Sequence, residues 1–215
     1  MTDRITKLHD VAAGQAVPAE IHTALALSDL LDAESDWTPW RFGLIKQLDS
    51  AGVPQTQWPE HWYWNWVHKL LASKRIDIGN ALSPFRLMGM MCTQKWQGLV
   101  LVTSIGYQTR LKEGGKDLVY VKYLETAPWN IQVDVLGQTP SYRGVGRQLI
   151  ELAARLSEAM EFRGRIGLHA LPQAEGFYKK CGMTDLGADS DSNGLRYFEM
   201  SEEQAATFLN LGRTS

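Results

Sequence analysis

A mixed α/β architecture is what the 215-residue sequence predicts, and three observations carry it. Amphipathic helical patterns fill residues 19–74, short apolar runs bounded by turn residues begin at residue 85, and a strongly amphipathic helix follows a glycine turn at residues 143–147. The order is therefore helices, hairpin, strand, glycine turn, long helix, strand, helix, strand. No internal repeat and no shift of composition divides the chain, so residues 18–215 read as one domain behind a poorly ordered start at residues 1–17.

Each element has its own warrant. Ile21, Leu25, Leu27, Leu30 and Leu31 approximate helical spacing over residues 19–33. Phe42, Ile45 and Leu48 mark a second helix over residues 37–51, and Gly52 ends it. A third covers residues 58–74, with Pro59 tolerated in its first turn and Trp62, Trp66 and Leu70 in register. Residues 85–93 and 97–104 form an antiparallel hairpin about Gln94 and Lys95. Residues 118–126 are rich in valine, leucine and tyrosine and read as a strand that stops at Pro128. Leu149, Ala153, Leu156 and Met160 make residues 146–161 the clearest helix. A strand at 165–171, a short helix at 174–180 stopped by Gly182, a strand at 195–200 and a helix at 202–209 complete the chain.

Composition narrows the function. A hydrophobic content of 44% with 21% charged residues suits a soluble globular protein, and the net charge of −2 lacks the basic field that favours nucleic acid. Cys92 and Cys181 are far apart without metal-ligand spacing, so reduced thiols are expected and no metal. No apolar run approaches the roughly 18–20 residues that cross a bilayer, and the first ten residues lack the apolar core of a signal peptide; the expected location is the cytoplasm, without a membrane partner.

The glycine turn carries the chemistry. Arg143, Gly144, Val145, Gly146 and Arg147 join a polar turn to a helix start, where unpaired main-chain N–H groups make an anion site. Glycines without Cβ atoms let a phosphate approach the main chain, and two arginines add positive charge. Taken alone, the same pattern fits a tight turn before an ordinary helix. A nucleotide-binding P-loop would need Gly-Lys-Ser/Thr, and a dinucleotide turn would need a third glycine where this chain has Leu149.

Together with a second motif, the turn resembles the GCN5-related N-acetyltransferases (GNAT). Their Gln/Arg-x-x-Gly-x-Gly/Ala motif falls on Ser141, Tyr142, Arg143, Gly144, Val145 and Gly146, and Arg147, Gln148, Leu149 and Ile150 look like the first helical turn that follows. Ala174, Phe177, Tyr178, Gly182 and Met183 are similar to the family's Ala-x-x-Phe/Tyr-Tyr element and the Gly-Phe after it. Two positions depart: Ser141 stands where the family has Gln or Arg, and Leu171 where it often has Asn. The resemblance covers about residues 85–200. It implies a GNAT-type mixed, mostly antiparallel central sheet flanked by helices, with an N-terminal helical segment, and acetyl-CoA as cosubstrate.

The resemblance also assigns roles. Tyr178 matches the tyrosine that protonates the departing thiolate of coenzyme A, a task suited to a phenol whose ordinary pKa is about 10. Glu125, at the end of the strand before the turn, is the leading general base, with His169 as an alternative. Thr126 and Ala127 would offer main-chain groups to the pantetheine arm, and Arg143, Gly144, Val145, Gly146 and Arg147 would hold the pyrophosphate. The link at residues 128–139 is longer than the family's, with Trp129 and Asn130 beside the acceptor. Trp58, Trp62, Trp64 and Trp66 lie where relatives wall the acceptor side, although Trp62 and Trp66 at helical spacing also suit a plain core. The expected reaction is direct acetyl transfer to a primary amine on a small molecule or peptide. A coenzyme-binding sensor without transfer is the alternative, an RNA-bound acceptor is disfavoured by charge, and exposed early-helix aromatics would suit a homodimer.

Overall fold

The computed structural model describes residues 4–75, 85–112 and 114–211. It is a mixed, mostly antiparallel sheet flanked by helices, with strands in the order β6 (Tyr142–Arg143), β1 (Arg4–Asp10), β2 (Gln15–His22), β3 (Phe85–Cys92), β4 (Lys95–Thr103), β5 (Val119–Thr126), β7 (Ile166–Ala170), β9 (Arg196–Met200) and β8 (Thr184–Ala188). The described residues form two compact units: one from residues 4–75, 87–99 and 124–146, the other from 85–86, 100–112, 114–123 and 147–211.

The first unit opens with a hairpin rather than the loose start and helix expected over residues 1–33. Strands β1 (Arg4–Asp10) and β2 (Gln15–His22) pair antiparallel, Leu8 opposite Val17. The reason is a period of two hidden among charges: Leu8, Ala19 and Ile21 are buried while Ile5, Lys7 and His9 face out. Pro18, which lacks an N–H, sits ahead of the β2–β3 register, which begins only at Glu20. Gly14, at φ 65°, closes the turn, and Asp10 Oδ1 accepts from the Ala13 N–H at 2.9 Å.

One long helix, α1 (Leu27–Ser50), then replaces the two helices expected on either side of residue 36. Its buried positions Leu30, Glu34, Trp37, Arg41, Leu44 and Leu48 alternate by four and three, so a charged pair is built into an otherwise apolar stripe. Burying a leucine such as Leu30 contributes about 1.5–3 kcal/mol. The expected third helix is broken into 3-10 turns at Gln55–Gln57 and Glu60–Tyr63 before α2 (Trp66–Arg75), because Pro54 and Pro59 hold the chain extended. Trp62 packs with Leu44 and Leu48. The expected hairpin is present as β3 (Phe85–Cys92) and β4 (Lys95–Thr103), with Thr93 and Gln94 at positive φ in its two-residue turn.

In the second unit, β5 (Val119–Thr126) contributes its first five residues and runs parallel to β7 (Ile166–Ala170), with Val119, Tyr120 and Val121 opposite Ile166, Gly167 and Leu168. That ladder is only three pairs long, although β5 runs on to Thr126. Helix α3 (Val145–Ala159) buries Leu149, Ile150, Ala153 and Ala154. Short helix α4 (Glu175–Lys180) leads to β8 (Thr184–Ala188), a strand the sequence pattern hides behind Gly187 and a bulge. Strand β9 (Arg196–Met200) pairs antiparallel with both β7 and β8, and α5 (Glu202–Leu211) follows it. A Cβ at Gly167 would run into the Tyr197 hydroxyl, which explains a glycine inside a strand. Cys92 and Cys181 are free thiols, both buried.

Candidate functional site

The glycine turn is held from behind by main-chain pairing. Residues Tyr142–Arg143 form a two-residue strand, β6, paired antiparallel with His9 and Asp10 of β1. The Ser141 N–H donates to Trp129 O at 2.9 Å, the Val11 N–H donates to Ser141 O at 3.0 Å, and the Tyr142 N–H donates to Asn130 Oδ1 at 2.9 Å. Gly144 is exposed at φ 94°, a conformation few other residues adopt, and a Cβ there would meet nothing nearer than Leu8 Cδ2 at 4.0 Å. Arg143 is exposed beside it, while Val145 is buried and anchors the head of α3. An open main-chain surface at a helix N-terminus favours an anion.

Arg147 faces a different partner. Its guanidinium lies 4.1 Å from the centre of the Phe208 ring and donates to Phe208 O at 3.0 Å. Positive charge at the turn therefore rests chiefly on Arg143.

At the end of β5, Glu125 is 2% exposed and enclosed by charge. Arg41 Nη2 lies 3.1 Å from both carboxylate oxygens and donates to Oε2, which also accepts from Trp66 Nε1 at 2.7 Å; Oε1 is left without a hydrogen bond. Arg41 Nη1 donates to Glu34 Oε2 at 3.1 Å and to Trp64 O at 2.9 Å, and Glu34 Oε1 accepts from the Trp66 N–H at 2.7 Å. Two carboxylates thus share one guanidinium. Burial pushes the Glu125 carboxyl up to about 8, against the opposing pull of Arg41 and Trp66. Burial, helped by the Arg41 charge, lowers His61 to about 4, so that ring stays neutral.

Next along the strand, Thr126 is half-buried and Ala127 fully buried, and the Ala127 N–H is taken by Gln97 O at 2.8 Å. Trp129 and Asn130 are also buried and bonded to the Gln97 side chain. Nothing local in the sequence marks Gln97 as a buried hub, because it stands at the head of an apolar run and its partners lie 32 and 33 residues away.

In the second unit, Tyr178 lies on α4, 7% exposed, against Phe177 and Phe198. Burial, then the neighbouring Cys181, raises its phenol well above the ordinary value, so it carries its proton at neutral pH. His169 has both ring nitrogens engaged: Nδ1 with the Tyr120 hydroxyl at 2.7 Å and Nε2 with Asp189 Oδ2 at 2.9 Å. Those two contacts make His169 a bridge between Tyr120 and Asp189. Among the tryptophans, Trp62 and Trp66 are buried, and Trp64 is half-buried with Lys69 Nζ 4.5 Å over its ring. Among the described residues no group of three or more His, Cys, Asp or Glu side chains is placed to hold a metal ion.

A mostly antiparallel sheet with the short parallel β5–β7 pair, a glycine turn into an amphipathic helix and a short helix after the next strand define the GNAT fold. That fold is shared with an acetyltransferase of the GNAT family from Listeria monocytogenes at 16% identity, over 90% of this chain and 98% of the other, with a TM-score of 0.50. Similarity also extends to the PaiA N-acetyltransferase of Thermoplasma acidophilum in complex with coenzyme A, at 16% identity over 84% and 97% of the two chains and a TM-score of 0.47. The Bacillus subtilis N-acetyltransferase YlbP, in complex with coenzyme A, gives 15%, 86%, 97% and 0.44 for the same measures. At these identities the likeness is one of fold. No protein-family model and no curated protein sequence matches the chain.

Proposed function

We propose that this protein is an acetyl-CoA-dependent N-acetyltransferase working as one transferase domain, its N-terminal hairpin included, on a primary amine of a small molecule or peptide. The observation that carries the reading is the open turn at the head of α3: exposed Arg143 and Gly144, the latter at φ 94° with no atom crowding its missing Cβ. A pyrophosphate fits such a turn through the main-chain N–H groups of residues 143–146, with the Arg143 side chain beside it and Arg147 turned to Phe208. The β5–β7 ladder stops after three pairs, and the main chain of β5 beyond it, to Thr126, suits an extended amide-bearing arm, while the Ala127 N–H stays bonded to Gln97 O.

The reaction needs two proton movements. The amine nitrogen forms a bond to the thioester carbonyl carbon and gives its proton to Glu125; the carbon–sulfur bond breaks, and the leaving thiolate takes the Tyr178 proton. Burial makes Tyr178 a weaker acid than a free phenol, so it gives up its proton only as the carbon–sulfur bond breaks and charge builds on sulfur. A carboxyl near 8 suits the first only in its ionised form, so turnover rises as pH passes through about 8. Most of the acceleration comes from holding amine and thioester together.

Turnover of labelled acetyl-CoA against a panel of amines tests the reading. Tyr178→Phe lowers kcat by about 10²-fold or more with little change in coenzyme affinity; unchanged kcat removes Tyr178 as the acid. One observation favours a second reading, a coenzyme sensor without transfer: Glu125 is enclosed by Arg41 and Trp66. Tight acetyl-CoA binding with no transfer to any amine would select it.

A further inference from the structure

Gln97, at the start of β4, is 1% exposed, and its amide is fully bonded within the first unit. Its Oε1 accepts from Trp129 Nε1 at 2.8 Å and from Asn130 Nδ2 at 2.9 Å. Its Nε2 donates to the carbonyls of Cys92 and Lys95 at 3.1 and 3.2 Å, which fixes it to the β3–β4 turn. The Gln97 main-chain oxygen accepts from the Ala127 N–H at 2.8 Å and from Asn130 Nδ2 at 3.3 Å. Asn130 continues the chain of bonds, because its Oδ1 accepts from the Tyr142 N–H at 2.9 Å while Trp129 O accepts from the Ser141 N–H.

This arrangement connects two places that the sequence separates. The strand end at Thr126 and Ala127 and the turn at residues 143–146 are joined covalently by the long link of residues 128–139, in which Gln132, Asp134, Val135, Gly137 and Thr139 are exposed. The middle of that link is closed on itself, since Val133 and Gln138 pair through their main chains and Gln138 Nε2 donates to Pro128 O at 2.9 Å and to Ile131 O at 2.7 Å; these bonds leave open how the link is set against β4. The buried amides of Gln97 and Asn130 set it, because they tie the link to β4 and to the turn, and a shift would leave their donors and acceptors unmatched.

Resting on the reading of the chain as a coenzyme A enzyme, we infer that Gln97 and Asn130 are positioning residues that form an internal spacer. They set the distance between the turn that takes the phosphates and the strand end that takes the arm, so a ligand carrying both is selected by its length. Neither side chain needs to touch the ligand.

The test compares two probes by titration calorimetry: coenzyme A, which spans both places, and 3′-phosphoadenosine 5′-diphosphate, which carries the phosphates without the arm. Asn130→Ala weakens coenzyme A about tenfold or more while the fragment changes less than about twofold, because only the spanning ligand depends on the spacing. Gln97→Met serves as the second variant if Asn130→Ala fails to fold, with a thermal melt identifying that case. Equal losses for both probes, or none for either, overturn the spacer and leave the proposed function standing. A wild-type protein that binds neither probe overturns both.

Discussion

Two charged clusters, one around Glu125 and one around Asp189, use the same residue types and behave in opposite ways. Glu125 and Glu34 share Arg41 deep inside the first unit, and burial is the strongest influence on Glu125, pushing its carboxyl up to about 8. Asp189, partly exposed in the second unit, accepts from Arg110 and the Asp191 N–H and meets His169, and those hydrogen bonds hold its carboxyl well below the usual range. Desolvation decides the first case and hydrogen bonding the second. A carboxylate beside an arginine is therefore not one kind of object; access to water sets which way it titrates.

The largest expected effect comes from removing the buried cation. Arg41→Met leaves Glu34 and Glu125 without their guanidinium and destabilises the protein by about 3–5 kcal/mol in urea unfolding. Arg110→Met, at the partly exposed cluster, produces a much smaller loss. Comparable losses would break the contrast.

A second, smaller effect concerns pH. The folded Glu125 carboxyl binds its proton more tightly than the unfolded one, so across the interval from 4.5 to about 8 the native state holds more protons, and stability falls as pH rises through it. Glu125→Gln removes that slope, which melts taken every half pH unit would show as a flatter profile. Asp189 has the opposite sign: its contribution is present above the ordinary aspartate range and is lost as pH falls toward the depressed folded value. Asp189→Asn therefore alters stability at neutral pH and becomes silent in strong acid; a persistent acid difference would contradict its assignment.

The smallest effect is one of screening. Raising salt from 0.05 to 0.5 M, on the order of a threefold shortening of the Debye length, reduces the stability difference between wild type and Arg110→Met and leaves that of Arg41→Met nearly unchanged. Equal salt dependence for the two would mean that water reaches Arg41.

The sequence made some of this legible and hid the rest for identifiable reasons. Helix α3 and the β3–β4 hairpin announce themselves through local periodicity, and the exposed turn at Arg143 and Gly144 through local chemistry. Strand β1 was masked by charges on its outer face, β2 by Pro18, and β8 by a bulge between Asp185 and Ala188. Glu34 and Arg41 read as the polar face of a helix because their reason for being inside, Glu125 and Trp66, lies elsewhere in the sequence. Gln97 is the extreme case, since its partners Trp129 and Asn130 come from another strand's end. Period and turn chemistry are local; the matching of buried donors with acceptors is not.

The pairing of β1 with β6 has a consequence for how the chain is made. His9 leaves the ribosome 134 residues ahead of its partner Arg143, so at about 5–20 residues per second the end of the first hairpin's outer edge, at His9 and Asp10, waits on the order of ten seconds for the two residues that pair with it. During that interval it presents an open row of N–H and C=O groups, able to recruit strands from neighbouring nascent chains. Lys7, exposed on that strand, puts charge where such recruitment would start.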